Sequence, residues 1–159
     1  MTPQLSNTVL GALASNWRLS GIVTIRSGAW LNITSGLDRA LNGISNQRPN
    51  QVSDDVYGAK TLDSYLNKAA FAQPDLGTFG DVTYRSVEGP GYWDVNMAVT
   101  RLLGLGATRN LELRLEAFNL LNNFNWGDPA TNLNLGTFGR ITSMSGSPRV
   151  MQFGVKYSF

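Results

Sequence analysis

The last nine residues of the chain, Met151–Phe159, alternate between two kinds of side chain. Every odd-numbered position carries an apolar or aromatic residue, and every even-numbered position carries a polar or small one. Because successive side chains of a β-strand point to opposite faces, this pattern predicts a strand with one apolar and one polar face. The apolar face of this predicted C-terminal strand therefore needs an apolar environment, such as a protein core or lipid.

Three further segments repeat the alternation: Trp17–Ser27, Trp93–Thr100 and Asn110–Ala117. In the first of them, Ile22 is the exception to the pattern. If frayed ends are allowed for, each segment has about the 9–11 residues with which a tilted strand crosses a bilayer. A sheet that covers a soluble core with one face shows the same alternation, so the pattern alone leaves both possibilities open.

The connections between these segments alternate in length. A short glycine-rich turn, Gly104–Thr108, separates the second segment from the third, whereas the other two connections are long, roughly Gly28–Tyr92 and Leu120–Pro148. Short periplasmic turns and long external loops are typical of outer-membrane β-barrels. The sequence therefore predicts an all-β fold. We expect a segment of an antiparallel transmembrane β-barrel, about four C-terminal strands with long extracellular loops, incomplete as a barrel.

Composition argues against several classes of protein. The chain has no Cys and no His, which removes thiolate nucleophiles, the commonest general base and the commonest zinc ligand. Its net charge is only +2, and its Lys and Arg residues are scattered, so it lacks the basic stripe of a nucleic-acid-binding protein. The glycine-rich stretch Gly104–Arg109 lacks the third glycine of a dinucleotide fingerprint and predicts a tight turn instead. We expect no enzyme activity, cofactor, metal site or nucleic-acid partner.

Two sets of side chains on these segments are candidates for a function in a membrane. Aromatic residues near the strand ends would form the interfacial girdles of a barrel: Trp17, Tyr92, Trp93 and Phe118. Polar residues opposite the apolar face would line a water-filled lumen: Arg18, Arg26, Glu112, Arg114, Glu116 and Lys156. The two carboxylates of this set, those of Glu112 and Glu116, could do acid–base chemistry. Because Arg114 lies between them, a charge ladder on a barrel wall is the favoured interpretation.

The long connections are rich in Asn, Gly, Ser and Pro, a composition typical of turns rather than of a core. The sequence LGTFG occurs in both of them, at Leu76–Gly80 and at Leu135–Gly139. We interpret the two copies as matching hairpin extensions. Thr61–Phe71 is compatible with one short helix capped by Asp63 or Thr61.

Several stretches of the chain resemble the C-terminal part of TonB-dependent outer-membrane receptors. The likeness is greatest to the Oar-like group, which carries an N-terminal carboxypeptidase-regulatory-like domain. The matching stretches are Asn16–Gly36, Asn67–Val82, Gly89–Arg101, Leu111–Pro129 and Phe138–Phe159. The most specific element is EAFNLLN, at Glu116–Asn122, followed by the aromatic terminal strand.

The resemblance implies a barrel of about 22 strands with an N-terminal plug, which imports a ligand with energy passed on by TonB. This chain matches only about the last four strands, so we expect TonB to act through a missing N-terminal part that also supplies the plug and the other strands. Residues 16–159 would be the C-terminal strands, and residues 1–15 a periplasmic turn or the end of a preceding strand. Because residues 1–15 lack the pattern of a signal peptide, we expect the true N-terminus to lie upstream of Met1.

The resemblance also implies a role for the terminal strand in membrane insertion. Barrels of this kind end in a strand of alternating aromatic residues that the barrel-assembly machinery recognises. The residues that match are Phe153, Val155, Tyr157 and Phe159. We expect them to direct insertion by adding a strand to an exposed sheet edge.

Two hypotheses about function remain. In the first, the chain is part of a transporter in a Gram-negative outer membrane, where lipid contacts its apolar face and its loops and lumen face contact an unknown ligand. In the second, it is a soluble or surface-exposed β-sheet module that recognises a glycan or a protein. The two differ in what lies against the apolar face: lipid in the first, a protein core in the second.

Overall fold

The computed structural model describes residues 15–106 and 108–159. These residues contain ten β-strands and a short 3-10 helix, Lys68–Ala70. The strands are β1 (Trp17–Arg26), β2 (Trp30–Leu31), β3 (Asn50–Gln51), β4 (Phe71–Ala72), β5 (Val87–Glu88), β6 (Tyr92–Gly104), β7 (Asn110–Phe118), β8 (Asn125–Trp126), β9 (Met144–Ser145) and β10 (Val150–Ser158). No helix in the described parts of the chain is long and apolar enough to cross a membrane.

The chain divides into two compact units. Among the described residues, the sheet unit consists of residues 15–25, Trp93–Asn123 and Ser147–Phe159, and the loop unit consists of Arg26–Tyr92 and Phe124–Gly146. The loop unit thus contains most of both long connections. Except for Ser15, the predicted first segment, residues 1–15, lies outside the described residues, so its assignment stays a prediction.

The sheet unit is a four-stranded sheet with the strand order β1-β6-β7-β10. β7 pairs antiparallel with both neighbours, with Ala117 opposite Met97 on one side and opposite Met151 on the other. The backbone N–H of Leu102 in β6 donates to the carbonyl of Asn16, just before β1. These four strands are the four segments in which the sequence alternates. The predicted all-β, antiparallel, unclosed fold is confirmed.

β6 is longer than the sequence predicts. The alternation suggested Trp93–Thr100, whereas the strand runs over Tyr92–Gly104. Arg101 and Leu102 fall on the apolar and the polar face respectively, so the pattern is lost although pairing with β7 continues to Gly104 opposite Asn110. Backbone pairing, rather than side-chain pattern, decides where this strand ends.

The turn between β6 and β7 is short, as predicted. The N–H of Leu105 donates to the carbonyl of Arg109, which closes the turn directly after β6. The glycine-rich stretch therefore joins two antiparallel strands, and not a strand to a helix as a dinucleotide fingerprint would.

The loop unit has a hydrophobic core of its own, so the interpretation of the long connections as turns without a core is wrong. Three two-stranded sheets, β2–β5, β3–β4 and β8–β9, surround that core. Its buried residues are Ile33, Tyr65, Leu66, Ala70, Phe71, Val82, Val87, Leu133, Phe138 and Ile141. The rings of Phe71 and Phe138, one from each connection, meet edge to face with centroids 5.7 Å apart. Both connections therefore contribute to one core.

Two smaller predictions about the connections are also wrong. Thr61–Phe71 is not a single helix: only Lys68–Ala70 is helical, and its cap is Asn67, whose side chain accepts a hydrogen bond from the N–H of Ala69. Tyr65 and Leu66, inside the predicted helix, instead donate their backbone N–H groups to the carbonyl of Gly139. Tertiary pairing has overridden local helix propensity here.

The two LGTFG copies do not form matching hairpin extensions, since neither lies in a strand. Phe79 in the first copy is exposed, whereas the equivalent Phe138 is buried in the core. The identical letters therefore have different environments. In this unit, tertiary contacts rather than the local sequence decide whether a residue is buried.

Candidate functional site

The four-stranded sheet has one face of apolar side chains. In register across β6, β7 and β10, one row consists of Val99, Leu115 and Phe153, and another of Leu103, Leu111 and Tyr157. Many of these side chains are exposed, and the exposed fraction reaches 67% for Phe153 and 78% for Ile25 of β1. Large exposed apolar patches mark surfaces that contact a partner or a membrane.

The opposite face carries the charged residues. Glu116 accepts a hydrogen bond from Gln152 on β10 and forms an ion pair with Arg114, with 2.5 Å between N and O. Glu112 lies opposite Lys156 in the β7–β10 register. Five of the six residues predicted to line a lumen therefore belong to this face: Arg18, Glu112, Arg114, Glu116 and Lys156. That the face lines water stays a prediction.

Arg18 joins this set through a small cavity at the end of the sheet. The cavity has a volume of about 250 Å³, and its lining includes Arg18, Thr100 and Glu112. Arg18 and Glu112 thus bring opposite charges to one water-accessible pocket. An arrangement of alternating charge of this kind suits a polar wall.

The sixth residue, Arg26, belongs to the loop unit. Its guanidinium carbon lies 4.4 Å from the centre of the Tyr92 ring, in a cation–π contact. Two residues that the sequence assigned to different sets, a lumen arginine and a rim aromatic, are therefore neighbours.

The other predicted rim aromatics lie at the two ends of the sheet. Trp17 begins β1, at the end where Leu102 meets Asn16, and Trp93 and Phe118 lie at the opposite ends of β6 and β7. All three are more than two-fifths exposed. Trp17 and Trp93 fall on the apolar face, as interfacial girdles require, whereas Phe118 falls on the charged face with Arg114 and Glu116. Contact with a membrane interface stays a prediction.

Arg101 is a residue that the sequence reasoning missed. It lies on the apolar face, in the row of Leu113 and Val155, and its guanidinium is 5.1 Å from the centre of the Trp17 ring. A long cationic side chain over an aromatic ring at a sheet end is the arrangement with which arginine reaches an interface from an apolar surface. Arg101 was not a candidate because the predicted strand ended at Thr100, one residue before it.

A cluster of asparagines at the end of β7 was also missed. The side chain of Asn119 donates to the carbonyls of Asn123 and Ser147 and accepts from the N–H of Asn123, over 2.8–3.0 Å. Asn123 donates in turn to the carbonyl of Trp93. The cluster thus ties the chain after β7 to the segments that precede β10 and begin β6. In the sequence, only the EAFNLLN stretch pointed to this cluster. The resemblance identified that stretch as specific but gave it no structural role.

The predicted assembly signal lies on β10, at one edge of the sheet. Phe153, Val155 and Tyr157 share the apolar face, and the ring of Phe159 stacks on that of Tyr157 with centroids 5.8 Å apart. Within the described residues, the outer edges of β10 and β1 pair with no further strand. An unpaired edge can add a strand from another segment or protein.

The loop unit contains a second cavity, of about 290 Å³, between its two chain segments. Its lining includes Arg26, Ser27, Tyr92, Trp126, Asp128 and Ser145. Aromatic, cationic, anionic and hydroxyl groups thus meet in one cavity. Neither the aromatic nor the acidic residues of the second segment were candidates in the sequence.

One carboxylate in the loop unit has a perturbed pKa. Desolvation raises the pKa of Asp38, but hydrogen bonds from the N–H groups of Gly43 and Asn42 and from the Gln47 side chain outweigh it, and the pKa lies below its ordinary value. Asp38 therefore organises a turn in its ionised form. Across the described ranges, no group of three or more acidic residues is placed to hold a metal ion.

Comparison with known proteins gives one match. A family model described as an outer membrane beta barrel domain matches residues 2–152. Neither the curated proteins nor the solved structures that were compared contain a match to this chain. The matched range covers all of β1, β6 and β7 and the beginning of β10.

Proposed function

The chain belongs to the family of outer-membrane β-barrel domains, and from that premise we propose that it forms the C-terminal wall of a TonB-dependent transporter. In this role β1, β6, β7 and β10 cross the outer membrane, and the loop unit lies outside the cell. The ligand passes a lumen lined by the charged face. TonB acts through an N-terminal part of the transporter that supplies the plug and the remaining strands.

The observation that carries this proposal is the contrast between the two faces of one sheet. Exposed aliphatic and aromatic side chains occupy one face, and an ion pair and further charges occupy the other. Lipid on one side and water on the other would satisfy both faces. A soluble module needs a protein core against the apolar face, and the exposure of Phe153 and Val23 does not favour that arrangement.

The edges of the sheet support a larger barrel. Even the smallest barrels of this type have about eight strands, because an open edge leaves backbone groups that lipid cannot satisfy. β1 and β10 are such edges among the described strands. In the proposed transporter, further strands of the same protein pair with both.

The first experiment is to determine the DNA sequence immediately upstream of Met1. An open frame that continues into plug-like and further barrel sequence supports the proposal. A stop codon directly upstream contradicts it and favours a separate β-module.

The second experiment tests location and assembly. We expect the full-length protein, expressed in a Gram-negative host, to appear in the outer-membrane fraction. We also expect its migration on gels to differ between unheated and heated samples. Recovery from the soluble periplasm would contradict a barrel. Uptake that is equal in hosts with and without TonB would contradict the transporter while leaving the barrel intact.

A further inference from the structure

The cavity of the loop unit has two preformed aromatic walls. Trp126 belongs to β8, which pairs with β9, and its side chain is partly buried against the hydrophobic core. The Tyr92 ring contacts the guanidinium of Arg26 and closely approaches the backbone of Gly146, where a Cβ would lie 3.0 Å from the ring. Since neighbouring groups already hold both rings in place, the two side chains would lose little conformational freedom when a ligand binds.

Solvent-exposed polar groups complete the cavity: Arg26, Ser27 and Asp128 lie at its open side. Among the described residues, neither the carboxylate of Asp128 nor the guanidinium of Arg26 has a hydrogen-bond partner. Ser27 and Ser145 add hydroxyl groups to the same lining. The glycine at position 89 leaves room for Asp128, because a Cβ there would lie 2.8 Å from the carboxylate oxygen.

We propose that this cavity binds one ring of a neutral saccharide. A sugar ring has an apolar face of C–H groups, which packs on Trp126 or Tyr92, and an equatorial set of hydroxyls. Those hydroxyls accept hydrogen bonds from Arg26 and donate to Asp128, and bonds to charged partners are the stronger kind. The lining carries one positive and one negative group, so a ligand with a net charge gains little from it.

The size of the cavity fits the same class of ligand. Its volume of about 290 Å³ lies near the lower limit of roughly 300–1,000 Å³ that small-molecule sites span. One ring fits, and the remainder of an oligosaccharide would extend outside. The proposal concerns binding alone and does not depend on transport, so it holds or fails independently of TonB.

The test is binding of neutral oligosaccharides to the full-length protein in detergent. Maltohexaose, cellohexaose and mannohexaose serve as probes, with tryptophan fluorescence and calorimetry as readouts. We expect saturable binding of at least one probe. Trp126→Ala and the near-isosteric Asp128→Asn should each weaken it by about tenfold or more, because anchors in a pocket dominate binding.

Trp30→Ala is the matched control. Trp30 belongs to the same unit and is 57% exposed, but it does not line the cavity. This variant should bind the probe as the unchanged protein does. Heat-modifiable migration verifies the barrel of every variant, and limited proteolysis verifies that its loop unit has folded.

Three outcomes overturn the proposal. The first is no saturable binding of any probe, and the second is an equal loss of affinity in Trp126→Ala and Trp30→Ala. The third is binding of the zwitterionic peptide triglycine in place of the saccharides, which would assign the two charged groups to peptide termini.

Discussion

Asn119 has a left-handed backbone, with φ at 49°, at the point where β7 ends. Asparagine tolerates this conformation better than most residues, and here its side chain also makes three hydrogen bonds while buried. We predict that Asn119→Ala lowers the free energy of unfolding by about 2–4 kcal/mol, because it removes the three hydrogen bonds that this buried side chain makes. Urea unfolding of the detergent-solubilised protein, followed by tryptophan fluorescence, measures the change.

Asn134→Ala is the control for this prediction. Asn134 is exposed, and only its backbone N–H takes part in a hydrogen bond, to the side chain of Asn132. The control should unfold as the unchanged protein does. Equal stability of the Asn119 and Asn134 variants would show that the asparagine cluster contributes nothing to the end of the sheet.

Asp38 gives the loop unit a pH dependence whose sign follows from its lowered pKa. The unfolded chain binds the proton more readily, so this carboxylate stabilises the fold above its ordinary pKa of about 4 and ceases to do so as the pH falls through the lower folded-state value. We predict that acid increases proteolysis near residues 37–44, and that Asp38→Asn shows the increase already at neutral pH. Asp55→Asn, whose carboxylate makes no hydrogen bond, should behave as the unchanged protein; a similar response in both variants would contradict the assignment.

At the scale of elements, the backbone approaches itself closely beside the pair formed by β2 and β5. A Cβ on Gly28 would lie 1.8 Å from the carbonyl oxygen of Gly89. We predict that Gly28→Ala destabilises the loop unit by about 1–3 kcal/mol or more, since backbone must move. Limited proteolysis and thermal unfolding measure the effect. Gly136→Ala, where a Cβ meets nothing within 4 Å, is the control, and equal behaviour of the two would refute the prediction.

The terminal strand provides a prediction about biogenesis. The resemblance implies that the assembly machinery recognises the aromatic end of β10, and on this hypothesis deleting Phe159 from the full-length protein should slow its insertion into the outer membrane. Pulse-chase labelling with the appearance of the heat-modifiable form measures the rate. Phe79→Ala, an exposed phenylalanine in the loop unit, should insert normally. An unchanged rate after deletion of Phe159 would remove this role.

The four long strands could be predicted because each carries mainly apolar side chains on one face and mainly polar ones on the other, which gives the sequence a period of two. Where that pattern stops, as at Arg101, the prediction ended early although pairing continued. The short strands of the loop unit produce no such periodic pattern in the sequence. Two-residue strands such as β3 and β8 cannot show a period, and their partners are distant in sequence.

The core and cavity of the loop unit were unpredictable for a related reason. Ile33 and Val82 are almost fully buried, yet each stands alone among polar and turn-forming neighbours. Trp126 and Asp128 meet Arg26 only because two connections fold together. Local composition reports on backbone turns, whereas burial here arises from contacts between segments that are far apart in the chain.

At the scale of the whole molecule, the assignment of the two sheet faces is open to a direct test with neighbouring residues of β1. Val23→Lys places a charge on the apolar face, and Thr24→Lys places one on the opposite face. We predict that the first lowers stability in a bilayer by about 2–4 kcal/mol and reduces assembly, whereas the second is tolerated. Yield of folded protein in the outer membrane is the measurement. Equal tolerance of both lysines would indicate that water reaches both faces.

The loop unit is assembled from two segments, and its core draws on both: Phe71 comes from the first and Phe138 from the second. A growing or translocating chain therefore holds the first segment without the residues that it must pack against. Since two barrel strands, β6 and β7, lie between the segments, the unit can close only after both have been delivered. The loop unit can thus complete its core only after β6 and β7 have been made, and until then the apolar residues of its first segment lack their packing partners.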